Sequence, residues 1–547
     1  MKTVVQAEKH RSKHLSVGFL PCVLVFVVTA GMLVGCRSRD QYKAEADKEV
    51  YDILQNKWQD QFGEIGNYQI EEPNVSITDG LPEDGELALA HAVAMAVSYS
   101  REYQTQKELL YSSALRLTLT RHGYARQWFG TVDSDYALNG PEEDVTLGAR
   151  TGVNQDHLIG NGIQLATGLA LDWSRFITGA PDTSLSSLLT ATITAPILGA
   201  GAGLQAREDL TQAERTVLYR IRTFSRDRKS FVISIINDYY RVLQQRDSVT
   251  IAEASYKSRI DSTKMLRMEV EVGQRAPYEL GEAEQSLLEA ENKLVSARQS
   301  YEETLDNFKI RLALPTEVDV TLSQSELTAL EEIGVSLPTY TEEDAIEMAL
   351  DRRLDLANTV DTLDDASREL ELKAKGLGMQ LDFRTRIDGL NAGSKAPTQA
   401  ARIQFHEGSY NFGLNANLPL DRKSERNKYV EALLSYNKQK RDLENEVETV
   451  KLGVRQSYRD LSETAESYRI QKIGFDLAQY RVEVEKLSLK MGRGTVRTLL
   501  LSEDALVSAR NQVTSALVSH TITKLNFFRD IGVLQVKPDG MWEQVAQ

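Results

Sequence analysis

Between about residues 204 and 272, apolar side chains recur at Val217, Ile221, Phe224, Phe231, Ile235, Val242 and Val249, in steps of 4, 3, 7, 4, 7 and 7. That spacing is the seam of a coiled coil. A helix over this stretch is roughly 100 Å long at 1.5 Å per residue. No ordinary globular domain buries such a rod, so it must pack against rods of similar length. A tight break follows at Gly273-Gln274-Arg275-Ala276-Pro277, and a shorter helical pattern then runs back to about 314.

The arrangement returns later in the chain. Val270-Glu271-Val272-Gly273 opens the first break and Leu489-Lys490-Met491-Gly492 opens a second. At an offset of 219 residues Leu280 meets Leu499, Glu284 meets Glu503, Leu287 meets Leu506, Ala290 meets Ala509 and Asn292 meets Asn511. The arm before Gly492 has its own seam at Leu443, Val447, Val450, Val454, Leu461, Ala465 and Tyr468. Such a duplication decides the architecture. Repeat one covers 86–314 and repeat two 341–534, the latter opened by Thr341, which can cap a helix with Asp344 three residues on. Residues 315–340, from Pro315 to Pro338, join them as an equatorial linker, with a short strand expected in Glu317–Leu322. Residues 535–547 form a C-terminal tail.

Each repeat also contains strands. Met379, Leu381, Phe383, Thr385 and Ile387 alternate with Gln380, Asp382, Arg384, Arg386 and Asp388. Tyr410, Phe412, Leu414, Ala416, Leu418 and Leu420 alternate with polar or small residues in the same way. Period two with one greasy and one polar face fits half of a soluble sandwich or a barrel strand between lipid and water. Two strands make no stable sheet alone and leave open edges; closing a ring with strands from other copies removes them, which favours a shared barrel.

Repeat one has equivalent strands near 126–136 and 186–197, with a further alternation at Ile163, Leu165, Leu169, Leu171 and Trp173. Ala92 to Pro196 spans 104 residues and Ala345 to Pro419 spans 74, and the excess of 30 matches an inserted hairpin at roughly 145–177, inside the barrel or capping it. Proline does not continue a central ladder, so Pro196 and Pro419 mark the strand-to-helix joints. Trp128, Phe129, Trp173, Tyr410 and Phe412 are candidates for an interfacial girdle. The helices expected at about 84–122 and 278–314 together match the long arm in length. Each chain then supplies four helical columns and four strands.

Met1 to His14 carries Lys2, Lys9, Arg11 and Lys13, and Leu15 to Cys36 carries no charge. The apolar stretch is long enough for a membrane span, but Pro21 and the small-residue ending favour a cleaved secretory signal. Leu33-Val34-Gly35-Cys36 resembles a bacterial lipobox, which makes 1–35 a lipoprotein signal peptide and Cys36 the lipidated residue. Residues 36–85 are a polar spacer expected to pack outside the body. The other cysteine, Cys22, lies in the signal, so the mature chain has no intrachain disulfide and no cysteine-built zinc site. The net charge of −15 becomes −18 without the signal, which carries four basic and one acidic side chain; nucleic acid is an unsuitable partner.

Taken together, the duplicated hairpins, the Val-Gly and Met-Gly breaks, Ala345 to Leu356, Ala195-Pro196-Ile197-Leu198 and Asn417-Leu418-Pro419-Leu420 resemble the TolC-like outer membrane efflux proteins of the lipoprotein type. The likeness covers about 86 to 534. It implies an α+β membrane protein: a long α-helical coiled-coil barrel plus a transmembrane β-barrel shared by a trimer, with two internal repeats and four strands per chain. Twelve strands would cross the outer membrane lipid and twelve columns would form a periplasmic tunnel.

The resemblance further implies an exit duct for a tripartite efflux or type I secretion system. Its helix breaks would form a periplasmic tip, opened by a periplasmic adaptor protein and an inner-membrane pump of RND or ABC type. Gly273, Arg275, Glu279, Glu282, Gly492, Arg493 and Arg497 are the candidate gate and adaptor-contact residues. Some family members carry aspartates six and nine residues after the second glycine; here those positions are Thr498 and Leu501, whereas Glu279 and Glu282 follow the first. An acidic ring is therefore expected on the first hairpin, with the three arginines beside it as possible latches.

No catalytic pattern is present. His10 and His14 lie in the signal, and His91, His122, His157, His406 and His520 are isolated, without HExxH spacing. Gly199-Ala200-Gly201-Ala202-Gly203 lacks GxGxxG spacing and reads as a flexible joint. No enzyme activity, cofactor or metal is expected. The rival readings are a periplasmic adaptor lipoprotein, which would lack the duplicated hairpin, and a structural coiled-coil lipoprotein, which would lack the amphipathic strands.

Overall fold

The computed structural model describes residues 37–62, 68–70, 85–139, 144–160, 162–176, 183–198, 202–336, 340–394, 404–418, 420–537 and 542–544. The signal, Cys36 and Pro419 lie outside the described residues. The chain divides after Glu64. In the first unit, the segment read as a polar spacer contains helix α1 (Arg39–Phe62). Ser38 and Gln41 exchange side-chain and backbone hydrogen bonds at its start, 3.1 and 3.3 Å, which satisfies two otherwise orphaned donors.

The second unit opens with β1 (Glu86–Leu87), then α2 (Leu89–Tyr99) and α3 (Arg101–His122). A single helix from about 84 was expected. Residues 86–87 instead pair in parallel with β6, described below, and the helix breaks at Ser100, which is extended at φ −60° and ψ 128°. Strands β2 (Gln127–Asn139), β3 (Asp144–Ile159), β4 (Ile163–Phe176) and β5 (Thr183–Leu198) follow, then the helical hairpin α4 (Ala202–Glu271) and α5 (Pro277–Arg311). The linker holds β6 (Thr321–Leu322), inside the stretch expected to carry a strand, and α6 (Ser325–Ile333).

Repeat two runs α7 (Glu342–Arg352), α8 (Leu354–Lys375), β7 (Gln380–Ser394), β8 (Gln404–Asn417), α9 (Lys423–Lys490) and α10 (Val496–Asp530). The pair β9 (Leu534–Val536) and β10 (Trp542–Gln544) closes the described chain. Thr341 and Asp344 form the expected capping box on α7. Arg353 repeats the break of Ser100, at φ −72° and ψ 120°.

The shorter helices have the same lengths in both repeats: 11 residues in α2 and α7, 22 in α3 and α8, 35 in α5 and α10. Each set of three nearly equals its long partner, 70 residues in α4 and 68 in α9. Packing runs across the bundle from α3 and α5 to α4, then to α8 and α10, then to α9. The central α4 therefore buries its seam: Val217, Ile221, Phe224, Phe231, Ile235 and Val242 are all buried, with Val249 half-buried. The Tyr103 ring stacks on Phe231 at 5.2 Å and tilts against Phe224 at 5.7 Å. Each such fully buried side chain contributes about 2 kcal/mol.

Helix α9 has one free side. There Ile470, Ile473, Leu477, Tyr480, Val484 and Leu487 stand exposed in steps of three and four, a second seam with nothing against it among the described residues. Between the repeats, α4 and α8 are joined by ion pairs. Arg215 meets Asp361 at 3.0 Å and Asp365 at 2.6 Å, and Arg222 meets Asp361 at 2.6 Å. The Tyr219 hydroxyl donates to Asp365 at 2.6 Å.

All six long strands form one antiparallel sheet in the order β2-β3-β4-β5-β7-β8. Four strands per chain were expected, and the correction comes from the inserted hairpin: β3 and β4 enter the sheet between β2 and β5. The repeats meet where β5 pairs with β7. Pro196, expected to end its strand, lies inside β5 opposite Asp382, and the ladder shifts register between Pro196 and Leu198 to absorb it. Among the described residues no helix is long and apolar enough to cross a membrane.

Candidate functional site: the sheet face and the hairpin tips

The register of the sheet sorts its side chains into two faces. On one face Trp128, Val132, Tyr136 and Leu138 of β2 neighbour Val153 and Leu147 of β3. The same face continues through Leu165, Leu169, Leu171 and Trp173, then Leu189, Ala191 and Ile193, then Ile387 and Phe383, to Tyr410, Phe412 and Leu414. Many of these are exposed, Phe412 by 69 % and Trp128 by 67 %. An apolar surface six strands wide is far larger than a soluble monomer leaves bare.

The opposite face is polar. Thr190, Thr192 and Thr194 lie opposite Asp388, Arg386 and Arg384. Arg150 lies opposite both Asp133 and Asp172, the latter at 3.3 Å, and Arg386 meets Asp388 at 3.0 Å. The girdle set divides accordingly: Trp128, Trp173, Tyr410 and Phe412 share the apolar face, whereas Phe129 points to the polar one, opposite Asn154. Adjacent residues in a strand face opposite ways, so Phe129 drops out of the expected girdle and Trp128 stays in it.

At the other end of the helices the tips share one backbone design. Gly273 and Gly492 take φ of 75° and 71°, where a side chain is strained. Gln274 N donates to Glu269 O and Gly273 N to Val270 O, at 2.8 and 3.0 Å; Arg493 N donates to Ser488 O and Gly492 N to Leu489 O, at 2.9 and 3.1 Å. Both long helices thus end in a Schellman turn. Pro277 then starts α5 with its fixed φ, and the Thr495 hydroxyl accepts from Thr498 N at 3.2 Å to start α10.

Arg275 sits between the two tips. Its Nε lies 3.3 Å from Glu269 Oε2 and its Nη1 3.6 Å from Glu279 Oε2, while Nη2 donates to Leu489 O at 3.1 Å. That carbonyl lies at the negative end of α9, where a cation is favoured. Glu282 is half-buried and makes no ion pair among the described residues; Arg493 and Arg497 are exposed and also make none. Of the three candidate latch arginines, the fold therefore brings one to a glutamate. Leu266, Ala283, Val496 and Leu500 form a small buried cluster beneath the tips, with Leu489 packed against it.

A buried group that the sequence did not flag lies deeper. Arg259 of α4 is 1 % exposed. Its Nη2 donates to Leu500 O at 2.9 Å and lies 3.4 Å from Asp504, and its Nη1 lies 3.4 Å from Glu503. Lys486 of α9 reaches Glu503 at 3.5 Å and Lys293 of α5 reaches Asp504 at 3.1 Å. Both hairpins converge on these two carboxylates. The available signal was the match of Glu284 to Glu503 in the repeat: Glu284 pairs with the exposed Arg267 at 2.8 Å, and only the second copy is buried. Among the described residues no cluster of His, Cys, Asp or Glu is placed to hold a metal ion.

No family model and no curated protein matches the chain. Solved structures do. Over 86 % of this chain and 96 % of its own length, the CusC channel superposes with a TM-score of 0.59 at 11 % identity. The open-state MtrE outer membrane channel of Neisseria gonorrhoeae gives 0.60 at 12 % identity, covering 86 % and 94 %. The CmeC outer membrane channel of Campylobacter jejuni gives 0.58 at 13 % identity, covering 85 % and 93 %. The chain has the fold of these outer-membrane channels.

Proposed function

We propose that this chain is the outer-membrane exit duct of a tripartite export assembly: a passive conduit whose tip opens when a periplasmic adaptor and an inner-membrane pump engage it. The observation that carries this reading is the sheet with one continuous exposed apolar face, one polar face and two edges that no described strand pairs with, mounted on paired helices of about 100 Å. A lipid-facing wall needs the first, an aqueous lumen the second, and closure by further copies the third. The bare side of α9 calls for the same closure, and three copies form the ring. Lipidation of Cys36 anchors the N-terminus in the same membrane. The tip residues Gly273, Arg275, Glu279, Glu282, Gly492, Arg493 and Arg497 form the gate and the adaptor-contact surface.

A periplasmic adaptor or a purely structural coiled coil gives no use to an amphipathic six-stranded sheet. The test is outer-membrane fractionation with heat-modifiable migration on gels, followed by single-channel recording of the purified protein. A heat-labile trimer that conducts supports the duct; a monomer recovered from the soluble periplasm would overturn it.

A further inference from the structure

The hairpin β3–β4 departs from the four-stranded plan that the duplication implies. We infer that it is part of the pore wall, so that the ring closed by three copies has eighteen strands rather than twelve and admits cargo up to about twice as wide. The inference rests on the reading of the chain as a trimeric duct.

The hairpin is not appended to the sheet. β3 pairs with β2 without interruption from Gln127↔Asp156 to Asn139↔Asp144, and β4 pairs with β5 from Gln164↔Thr194 to Arg175↔Thr183. A cap lying across the mouth would leave β2 beside β5; here two strands separate them. The hairpin also continues both faces of the wall. Val153 faces Leu169, and Leu169 faces Leu189, on the apolar side, while Arg150 and Asp172 pair on the polar side.

Parity supports closure. Two added strands preserve the antiparallel alternation, so β2 and β8, the two edges, run in opposite directions. The β8 edge of one copy can then pair with the β2 edge of the next, and these edges are 14 and 13 residues long. An insertion of one strand would have made that junction parallel.

Width follows from strand number. With strands about 4.8 Å apart and tilted about 40°, eighteen strands give a backbone diameter of about 36 Å and twelve about 24 Å. Side chains remove about 5 Å from each wall, which leaves openings of about 26 and 14 Å. Eighteen strands lie in the range that encloses an aqueous channel.

The experiment places a cysteine on the polar face, Thr192→Cys, in the full-length protein reconstituted in liposomes. Maleimide-tagged polyethylene glycols of increasing size are added from the strand side. The intact sheet should accept reagents up to about twice the diameter accepted by a variant lacking residues 144–176, whose deletion leaves β2 and β5 antiparallel. Equal cut-offs overturn the inference and leave the duct standing; an intact protein that forms no trimeric pore overturns the duct reading itself. Averaged electron micrographs of the intact trimer count the wall strands even if the deletion variant does not assemble: eighteen supports the inference, and twelve defeats it.

Discussion

The Arg275 guanidinium donates to the main-chain carbonyl of Leu489 over 3.1 Å, and so ties the tip of the first hairpin to that of the second. A hydrogen bond from a charged donor contributes about 1.5–3 kcal/mol. Arg275→Ala should loosen the tips and raise the closed-state current of single channels several-fold. Arg497→Ala removes an exposed side chain that makes no ion pair among the described residues; its part in the tip is adaptor contact, so the closed-state current of the isolated channel should stay as it is. Indistinguishable currents from wild type and Arg275→Ala would show that the latch lies elsewhere.

Arg259, Glu503 and Asp504 form a buried group in which removal of one charge strands another. Glu503→Ala should cost about 3 kcal/mol of stability, since breaking a buried pair leaves an uncompensated ion. Arg259→Met combined with Glu503→Leu should recover most of that loss, because apolar replacement of both partners avoids the stranded charge. Urea midpoints of the helical signal compare the three proteins; a Glu503→Ala midpoint equal to wild type rules the network out as a stabilising element.

His520 of α10 is buried, with Nδ1 3.3 Å from the Thr464 hydroxyl of α9. Burial lowers its pKa below 6.5, and the Lys524 ammonium lowers it further. The folded protein therefore binds this proton less readily than the unfolded chain does. The neutral imidazole is accommodated fully above about pH 6.5, and stability falls as the pH drops from there through the lowered folded value. Thermal midpoints should decline between pH 7.5 and 5.0, and His520→Gln should flatten part of that decline. A slope unchanged by the substitution assigns the acid sensitivity to other groups.

Leu414 and Asn415 are neighbours in β8 that face opposite ways, Leu414 opposite Phe383 and Asn415 opposite Asp382. Leu414→Arg puts a cation on the apolar face, at a cost of about 2–4 kcal/mol at mid-membrane. Asn415→Arg puts the same cation into water beside a carboxylate. The first variant should fail to reach the outer membrane as a heat-modifiable trimer and the second should reach it. Equal assembly of the two would mean that the apolar face does not meet lipid.

The helical architecture was legible because period-3.5 seams at Val217 to Val242 and at Val450 to Leu461 admit one reading, and the duplication states it twice. The strands were legible from alternation at 379–387, and the inserted hairpin from the excess length before Pro196. Its place in the sheet was not, because period two says which face a residue takes and nothing about its neighbour strand. The break at Ser100 escaped for a related reason: the helical pattern continues across it, and only the pairing of Glu86–Leu87 with a distant strand reveals where the helix begins. Arg259 looked like a surface charge. Its burial depends on Glu503 and Asp504, more than 240 positions away in the chain, and on two helices converging there.

The matched segments of 11, 22 and 35 residues set a constraint on how such a chain can change. Seven residues added to one long arm alone would carry one tip about 10 Å past the other and pull Arg275 away from Leu489. Strands can be added in pairs at the far end with no such penalty. The calibre of the mouth and the geometry of the inlet can therefore drift independently, so a lineage can take on bulkier exports without renegotiating the machinery that docks below.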